Sequence, residues 1–191
     1  MSSDPRHLQL IDEAVTAGSV PLLSDAAALE LLRDTRRIAV IGASSLPWRA
    51  SNSVMGYLLS HGYECVPVTP KRREVLGRPC YDTLEAAVAA TGPFGIVDVF
   101  RRPEITPDVA RSAVATGCGA LWLQQGVISA EAARIAHDGG LAVVLDRCTA
   151  VVHRLLRDCA TDTTALLRNA RRSTGLPARW SCSKVRPLRI P

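Results

Sequence analysis

The chain has 191 residues, of which 47% are hydrophobic and 21% are charged, so it can form one globular domain with a sizeable core and a further extension. No apolar run approaches the roughly 18 residues that a membrane helix needs, and residues 1–7 contain an acid and a proline where a secretory signal would be basic and then apolar. These features exclude a membrane-spanning protein and predict a soluble, cytoplasmic one.

The net charge of +5 is concentrated at the C-terminal end of the chain. Residues 157–191 contain 8 Lys and Arg against 2 acids, which leaves 15 against 16 for residues 1–156. Such a basic tail is usually a solvated, partly disordered extension. The alternative interpretations are that the tail contacts an acidic partner or RNA. For RNA, Trp180 is a single aromatic residue and does not by itself make a platform on which bases stack. We expect neither a DNA nor a membrane partner.

Strands and helices alternate through the middle of the chain. The predicted strands are Ile38–Ile41, Tyr63–Val68, Gly95–Phe100, Ala120–Gln124 and Leu141–Leu145. The predicted helices between them are Asn52–His61, Asp82–Ala90, Pro107–Thr116 and Ser129–Asp138. Short, continuously apolar strands separated by helices predict a parallel sheet with both faces covered. The expected fold is therefore α/β, with a doubly wound, Rossmann-like sheet of five parallel strands and helices on both faces.

Three segments follow from this pattern. Residues 1–36 are expected to form a helical lead-in, with Ser24 as a candidate N-cap. Residues 37–156 form the Rossmann-like domain, and residues 157–191 form the basic extension. The six cysteines show no metal-ligand spacing, so no metal site is expected.

The end of the first strand carries an anion-binding pattern. Gly42-Ala43-Ser44-Ser45 and then Arg49 and Ser51 lead into a helix, which places backbone N–H groups, hydroxyls and a guanidinium at one spot. No Gly-Lys-Ser/Thr follows, and Ser44 and Pro47 stand where the dinucleotide fingerprint has glycines. The pattern therefore indicates a phosphorylated ligand of another kind, and its alternative is a tight turn with a solvated arginine.

The loops after the other strands are also polar. They are Pro70–Arg73, Arg101–Glu104, Gln124–Gly126 and Asp146–Cys148, and four of the five strand-end loops contain a cation. Carboxyl ends of parallel strands share one edge of a sheet, and ligands bind there near the topological switch point. We therefore expect a ligand with several phosphates, with ordinary loop solvation as the alternative.

The ordered series of stretches resembles the small stand-alone CoA-binding proteins, whose Rossmann-like domain is similar to the N-terminal domain of the succinyl-CoA synthetase alpha subunit. The resemblance spans roughly residues 37–156. Its stretches are Ile38–Ser44 with Pro47 and Arg49, Val66–Pro70, Glu74–Gly77 with Cys80 and Tyr81, Val97–Glu104, Leu121–Gln124 with Gly126 and Val127, and Asp146–Cys148 with His153.

The resemblance implies a coenzyme A site built from the strand-end loops. A phosphate end would be held by Gly42, Ala43, Ser44, Ser45, Arg49 and Ser51. The adenosine phosphates would approach Pro70, Lys71 and Arg72, and the adenine side would approach Phe100, Arg101, Arg102 and Pro103. Gln124 and Gly126 would line the path of the pantetheine arm.

The expected function is to hold CoA or an acyl-CoA as a non-catalytic binding, carrier or sensor protein. Ligase chemistry is not carried over, because the synthetase needs a second domain with a phosphorylated histidine, and His153 is expected to be a helix-face or capping residue. The alternative is an NADP-dependent or acyl-CoA-using enzyme, since Lys71 and Arg72 suit a ribose that carries an extra phosphate.

Cys148 is a candidate redox thiol. It ends the last strand-end loop, and the neighbouring Arg147 could favour its thiolate. We predict that it forms a mixed disulfide with the CoA thiol. The alternative is a small buried hydrophobic residue that closes the strand.

Overall fold

A computed structural model of the protein describes residues 20–155. Its helices are α1 (Asp25–Asp34), α2 (Ala50–Ser60), α3 (Leu84–Thr91), α4 (Thr106–Ala115, preceded by a 3₁₀ turn at Pro103–Ile105), α5 (Ala130–Asp138) and α6 (residues 149–155). Its strands are β1 (Arg37–Ile41), β2 (Glu64–Val68), β3 (Glu74–Val75), β4 (Arg78–Pro79), β5 (Ile96–Val99), β6 (Ala120–Leu123) and β7 (Ala142–Val144).

Five of the strands form one parallel sheet in the order β2-β1-β5-β6-β7. The predicted doubly wound, Rossmann-like α/β fold is therefore confirmed. The chain first moves from β1 to β2 and then returns to the other side of β1 with β5. The loops after β1 and β5 consequently diverge to opposite faces, and a crevice opens between them at the carboxyl edge of the sheet.

Alternate strand residues face two separate hydrophobic clusters. On one face, Leu32 of α1 and Met55 and Leu58 of α2 pack with Ile38 and Trp122 of the sheet. On the other face, buried residues of α3, α4 and α5 cover the opposite side chains of the same strands. Each buried large side chain contributes roughly 1.5–3 kcal/mol, so both layers hold the strand ends in fixed positions.

Side chains cap three of the helices. Ser24, Thr83 and Ser129 each accept a hydrogen bond from a backbone N–H in the first turn of α1, α3 and α5. The candidate cap at Ser24 is thus confirmed. In contrast, Arg49 precedes α2 and makes no side-chain capping bond.

The hairpin β3–β4 was not predicted. Its two-residue turn, Leu76-Gly77, has φ of 50° and 71°, and positive φ at both residues is typical of a type I′ hairpin turn. Glycine adopts this conformation readily, whereas Leu76 does so at a cost. The Leu76 side chain packs over Gly56 of α2, since its Cδ1 lies 3.6 Å from where a Gly56 Cβ would be. The hairpin follows the loop after β2 and fixes it against α2.

Some predictions fall beyond the described residues. The first part of the lead-in, residues 1–19, lies outside them, as does the basic extension at 157–191 with Trp180. Within residues 20–155, no helix is both long and apolar enough to cross a lipid bilayer.

Candidate functional site

A cleft of about 730 Å³ lies at the carboxyl edge of the parallel sheet. Its walls are the loops that follow β1, β2, β5 and β6, the first turn of α2, and the residue that precedes α6. The lining residues are Gly42, Ala43, Ser44, Leu46, Arg49, Ala50, Ser51, Val54, Thr69, Lys71, Arg72, Phe100, Arg101, Arg102, Pro103, Gln124, Gln125, Gly126, Val127 and Cys148.

The cleft brings together fourteen of the residues named from the sequence. Ser45 and Pro70 are exposed and do not line it. Six lining residues were not named as site residues: Leu46, Ala50, Val54, Thr69, Gln125 and Val127. Helical spacing could have found Val54, which lies one turn after Ala50 on the same face of α2. Thr69 could have been found because it directly follows the apolar strand β2.

At Gly42 the loop after β1 lies close against the loop after β5. Its φ is +83°, and a Cβ there would lie 2.9 Å from the Phe100 carbonyl oxygen and 3.1 Å from Cδ of Arg101. A side chain at this position therefore meets both a backbone strain and a steric clash. The Gly42 N–H donates to the Val68 carbonyl (2.9 Å), so it is not among the free donors that the sequence suggested.

The next three residues supply the unused donors of this loop. Within the described part of the chain, the N–H groups of Ala43, Ser44 and Ser45 donate to no other residue. The loop is held by Asn52, whose buried Nδ2 donates to the Ser44 carbonyl (2.8 Å). Since α2 also has no side-chain cap, the N–H groups of Ala50 and Ser51 in its first turn are further donors that an anion could use, whereas those of Asn52 and Ser53 donate to the Arg49 carbonyl.

Five cations line the same half of the cleft: Arg49, Lys71, Arg72, Arg101 and Arg102. None of them takes part in an ion pair among residues 20–155. Side chains of one sign that face a concave surface raise the local potential and attract the opposite charge. This half of the cleft is therefore suited to a ligand with more than one phosphate.

The basic residue of the last strand-end loop does not join this group. The Arg147 guanidinium donates to Asp25 of α1 (2.9 Å) and to the Asp146 carbonyl (3.2 Å), and Arg147 does not line the cleft. The loop contributes Cys148 instead, which is half-buried and carries a free thiol. Because its guanidinium is engaged elsewhere, Arg147 gives less support to a reactive Cys148 than the sequence suggested.

Residues 36–154 match the family described as the CoA binding domain. The chain belongs to this family. An uncharacterized protein of Bacillus subtilis (strain 168), YneT, is 37% identical over 128 residues, which cover 67% of this chain and 93% of that protein.

The CoA-binding domain is also similar to several solved structures, including the next two. A hypothetical protein from Pyrococcus horikoshii OT3 is 37% identical with a TM-score of 0.66, covering 70% of this chain and 92% of that one. Cell-free ID.343 from Thermus thermophilus is 32% identical with a TM-score of 0.65, covering 70% of this chain and 99% of that one. The similarity therefore includes almost the whole of each relative.

The other half of the CoA-binding domain's cleft is less charged and rests on a buried polar network. Gln124 Nε2 donates to Asp98 Oδ1 (2.7 Å) and to Thr149 Oγ1 (2.8 Å), and Thr149 Oγ1 donates to Asp98 Oδ2 (3.2 Å). All three side chains are buried. Burial raises the pKa of Asp98 to about 7, although its two hydrogen bonds act in the opposite direction.

Sequence reasoning did not single out this network. An acid in the middle of the apolar strand β5 was the available signal, but Asp98 was quoted only within a family stretch. Gly126, which the sequence analysis did name, is held in place because its N–H donates a hydrogen bond to Asp146 Oδ1 (2.8 Å).

His153 lies on α6, as expected for a helix-face residue, and does not line the cleft. Its Nδ1 is 3.0 Å from the Tyr57 hydroxyl, and its ring packs edge-on against Tyr63 and His61. The residue joins α6 to α2 by aromatic packing.

Proposed function

We propose that the protein binds coenzyme A or an acyl-CoA in this cleft and acts as a binding, carrier or sensor protein without a reaction of its own. The observation that carries the proposal is the division of the cleft into two unlike halves. One half holds unused N–H groups and five cations that form no ion pair among residues 20–155, and the other holds Val127, Gln124 and Cys148. Coenzyme A has the same division, with phosphates at one end and a moderately polar pantetheine arm at the other.

The size of the cleft supports a ligand of this kind. Small-molecule and cofactor sites generally enclose about 300–1,000 Å³, and the cleft measures about 730 Å³. Lys71 follows β2 and Gln124 follows β6, and these strands are three positions apart in the sheet. Neighbouring strands are about 4.8 Å apart, so a ligand that reaches both loops spans about 14 Å. An extended CoA molecule meets this requirement better than a single phosphate does.

The proposed arrangement follows the positions of the donors. A phosphate group is bound by the first turn of α2 together with Arg49, and the adenosine phosphates are neutralised by Lys71 and Arg72. The pantetheine arm then runs along Gln124 and Gly126 toward Cys148. Charge-assisted bonds of this type are the strong ones, and because they are preorganised little ordering is needed on binding.

An NADP-binding enzyme is the second candidate. The observation in its favour is that Lys71 and Arg72, and no acid, follow β2, which suits a ribose that carries a phosphate. The cytoplasmic location stays a prediction, as does the absence of catalysis.

Calorimetric titration with CoA, dephospho-CoA, NADP and NAD distinguishes the candidates. We expect CoA to bind, and dephospho-CoA to bind about tenfold more weakly because it lacks one charged phosphate contact. Tight binding of NADP with no heat from CoA would overturn the proposal.

A further inference from the structure

The amide of Gln124 has a defined direction. Its Nε2 lies 2.7 Å from a carboxylate oxygen of Asp98 and 2.8 Å from the Thr149 hydroxyl oxygen. The structure places the NH₂ of the amide, and not its carbonyl, against Asp98 Oδ1, which accepts this bond when the carboxyl is ionised and also when its proton is on Oδ2. Both N–H bonds of Gln124 are consequently used inside the protein.

The opposite atom of the amide, Oε1, is the part of Gln124 left for a ligand. Gln124 lines the cleft although it is only 4% exposed. In residues 20–155, no buried side-chain nitrogen or oxygen lacks a hydrogen-bond partner. No donor to Oε1 is present among the described residues, so this atom is not fully enclosed and reaches the cleft surface.

The burial of Asp98 in this network lowers the stability of the fold, and its compensation is the orientation that it imposes on the Gln124 amide. Asp98 is fully buried, and its partners within the described residues are two neutral groups rather than a cation. A buried acid of this kind contributes less to stability than an apolar side chain of similar volume would. What it does supply is an acceptor beneath Gln124 that holds one orientation of the amide.

We propose that Gln124 accepts a hydrogen bond from an amide N–H of the pantetheine arm, and that Asp98 and Thr149 are positioning residues that fix its carbonyl oxygen toward the ligand. This inference rests on the proposed binding of CoA. It adds a specificity rule: this half of the cleft selects a ligand that donates a hydrogen bond and disfavours one that presents an acceptor at the same place.

The direct test uses the unaltered protein and two CoA analogues, each with one pantetheine amide replaced by an ester, so that an N–H becomes an oxygen. One analogue is expected to bind about tenfold more weakly than CoA, because a hydrogen bond is lost and two acceptors face each other. If CoA binds and both analogues bind as tightly as CoA does, the role of Gln124 is overturned while the proposed function stands. If CoA itself does not bind, the proposed function fails first.

Variants test the positioning residues. Gln124→Leu is expected to weaken the binding of CoA about tenfold and to abolish the discrimination against the ester analogue. Its affinity for adenosine 3′,5′-bisphosphate should be unchanged, since that probe has no pantetheine arm. Thr149→Val should reduce the discrimination and Thr149→Ser should retain it. Asp98→Asn allows both amide orientations, so the discrimination should fall by about twofold.

Full discrimination in both Thr149→Val and Asp98→Asn would show that these residues do not orient Gln124. Equal losses of CoA and adenosine 3′,5′-bisphosphate in Gln124→Leu would show general damage to the cleft and would contradict a pantetheine contact. The analogue titration on the unaltered protein decides the matter even if a variant does not fold.

Discussion

Two clefts at the same sheet edge have opposite chemistry. The large cleft, toward α2, carries five cations that pair with no acid in the described part of the chain, whereas a second cleft of about 410 Å³ on the other face has a rim of acids and an apolar floor. The acids are Asp82, Glu85 and Asp108, and the floor includes Val68 and Leu84. Arg101 lines both clefts. One strand-end geometry thus produces two surfaces, and charge decides which of them suits a phosphate.

The acids of the two regions also differ in protonation. In the small cleft, a hydrogen bond from Ser112 holds the pKa of Glu85 below its usual range, so that residue stays charged near neutral pH. Beneath the large cleft, burial raises the pKa of Asp98 to about 7. The small cleft therefore keeps a charge that repels anions, while the acid beneath the large cleft is enclosed.

The largest effect on stability is expected at Gly42, where the loop after β1 lies against the loop after β5. Gly42→Ala should lower the free energy of unfolding by roughly 2–4 kcal/mol, because an unfavourable φ and overpacking against Phe100 combine. The matched control is Gly62→Ala, where φ is +85° and nothing lies within 4 Å of the new Cβ, so only the φ cost of about 1 kcal/mol applies. Thermal or urea unfolding measures both. Equal losses would contradict the close approach of the two loops.

A second prediction concerns pH and Asp98. Its pKa is raised above the ordinary 3.8, so the folded state favours the protonated form and stability declines as pH rises from about 4 through about 7. Asp98→Asn should therefore gain stability relative to the unaltered protein over this window, by up to about 4 kcal/mol.

Urea unfolding at pH 5 and pH 8 checks this prediction. The neighbouring Cys65 does not interfere, since burial first and the Asp98 charge second raise its pKa to about 12. A difference between the two proteins that stays constant with pH would contradict the burial argument.

Removing a cation from the large cleft should weaken the binding of CoA without affecting the fold. Lys71→Ala is expected to reduce affinity about tenfold, because a bond to a charged phosphate is lost. Arg73→Ala is the matched control, since Arg73 is exposed on the same loop and does not line the cleft. Calorimetry and thermal unfolding of both variants provide the measurement. Parallel losses in the two would mean that charge in general, and not the cleft, attracts the ligand.

The smallest expected change in affinity is at Cys148. Coenzyme A disulfide should modify it: the Cys148 thiol gives its proton to water, its sulfur attacks one sulfur of the disulfide, and a protein–CoA disulfide forms as the original S–S bond breaks. The second CoA leaves as a thiolate and takes a proton from water. Mass spectrometry should find the adduct at Cys148 and none at the buried Cys65 and Cys118. Cys148→Ser should lose the adduct and change CoA affinity by less than about twofold. Binding of CoA without any adduct would make the residue a packing group only.

The sequence was enough to predict the sheet and the edge where the loops meet. Continuous apolar strands between helices leave few topologies, and the carboxyl ends of parallel strands must share an edge. The family stretches, from Ile38 to His153, then indicated the same fold.

Features that depend on tertiary contacts were not predicted. Two-residue strands carry no alternation, so the hairpin around Leu76 was not recognised. The direction of Arg147 is set by Asp25, which is 122 positions away in the chain. The hydrogen bond that uses the Gly42 N–H depends on strand pairing, and the orientation of Gln124 depends on Asp98 and Thr149 together.

A crystal structure of the protein with CoA would show directly whether the cation-lined cleft is the binding site. We expect phosphates against the first turn of α2 with Arg49 and Lys71, and a pantetheine arm that passes Gln124. Density for CoA in the acid-rimmed cleft, or phosphates that contact none of the five cations, would contradict this expectation.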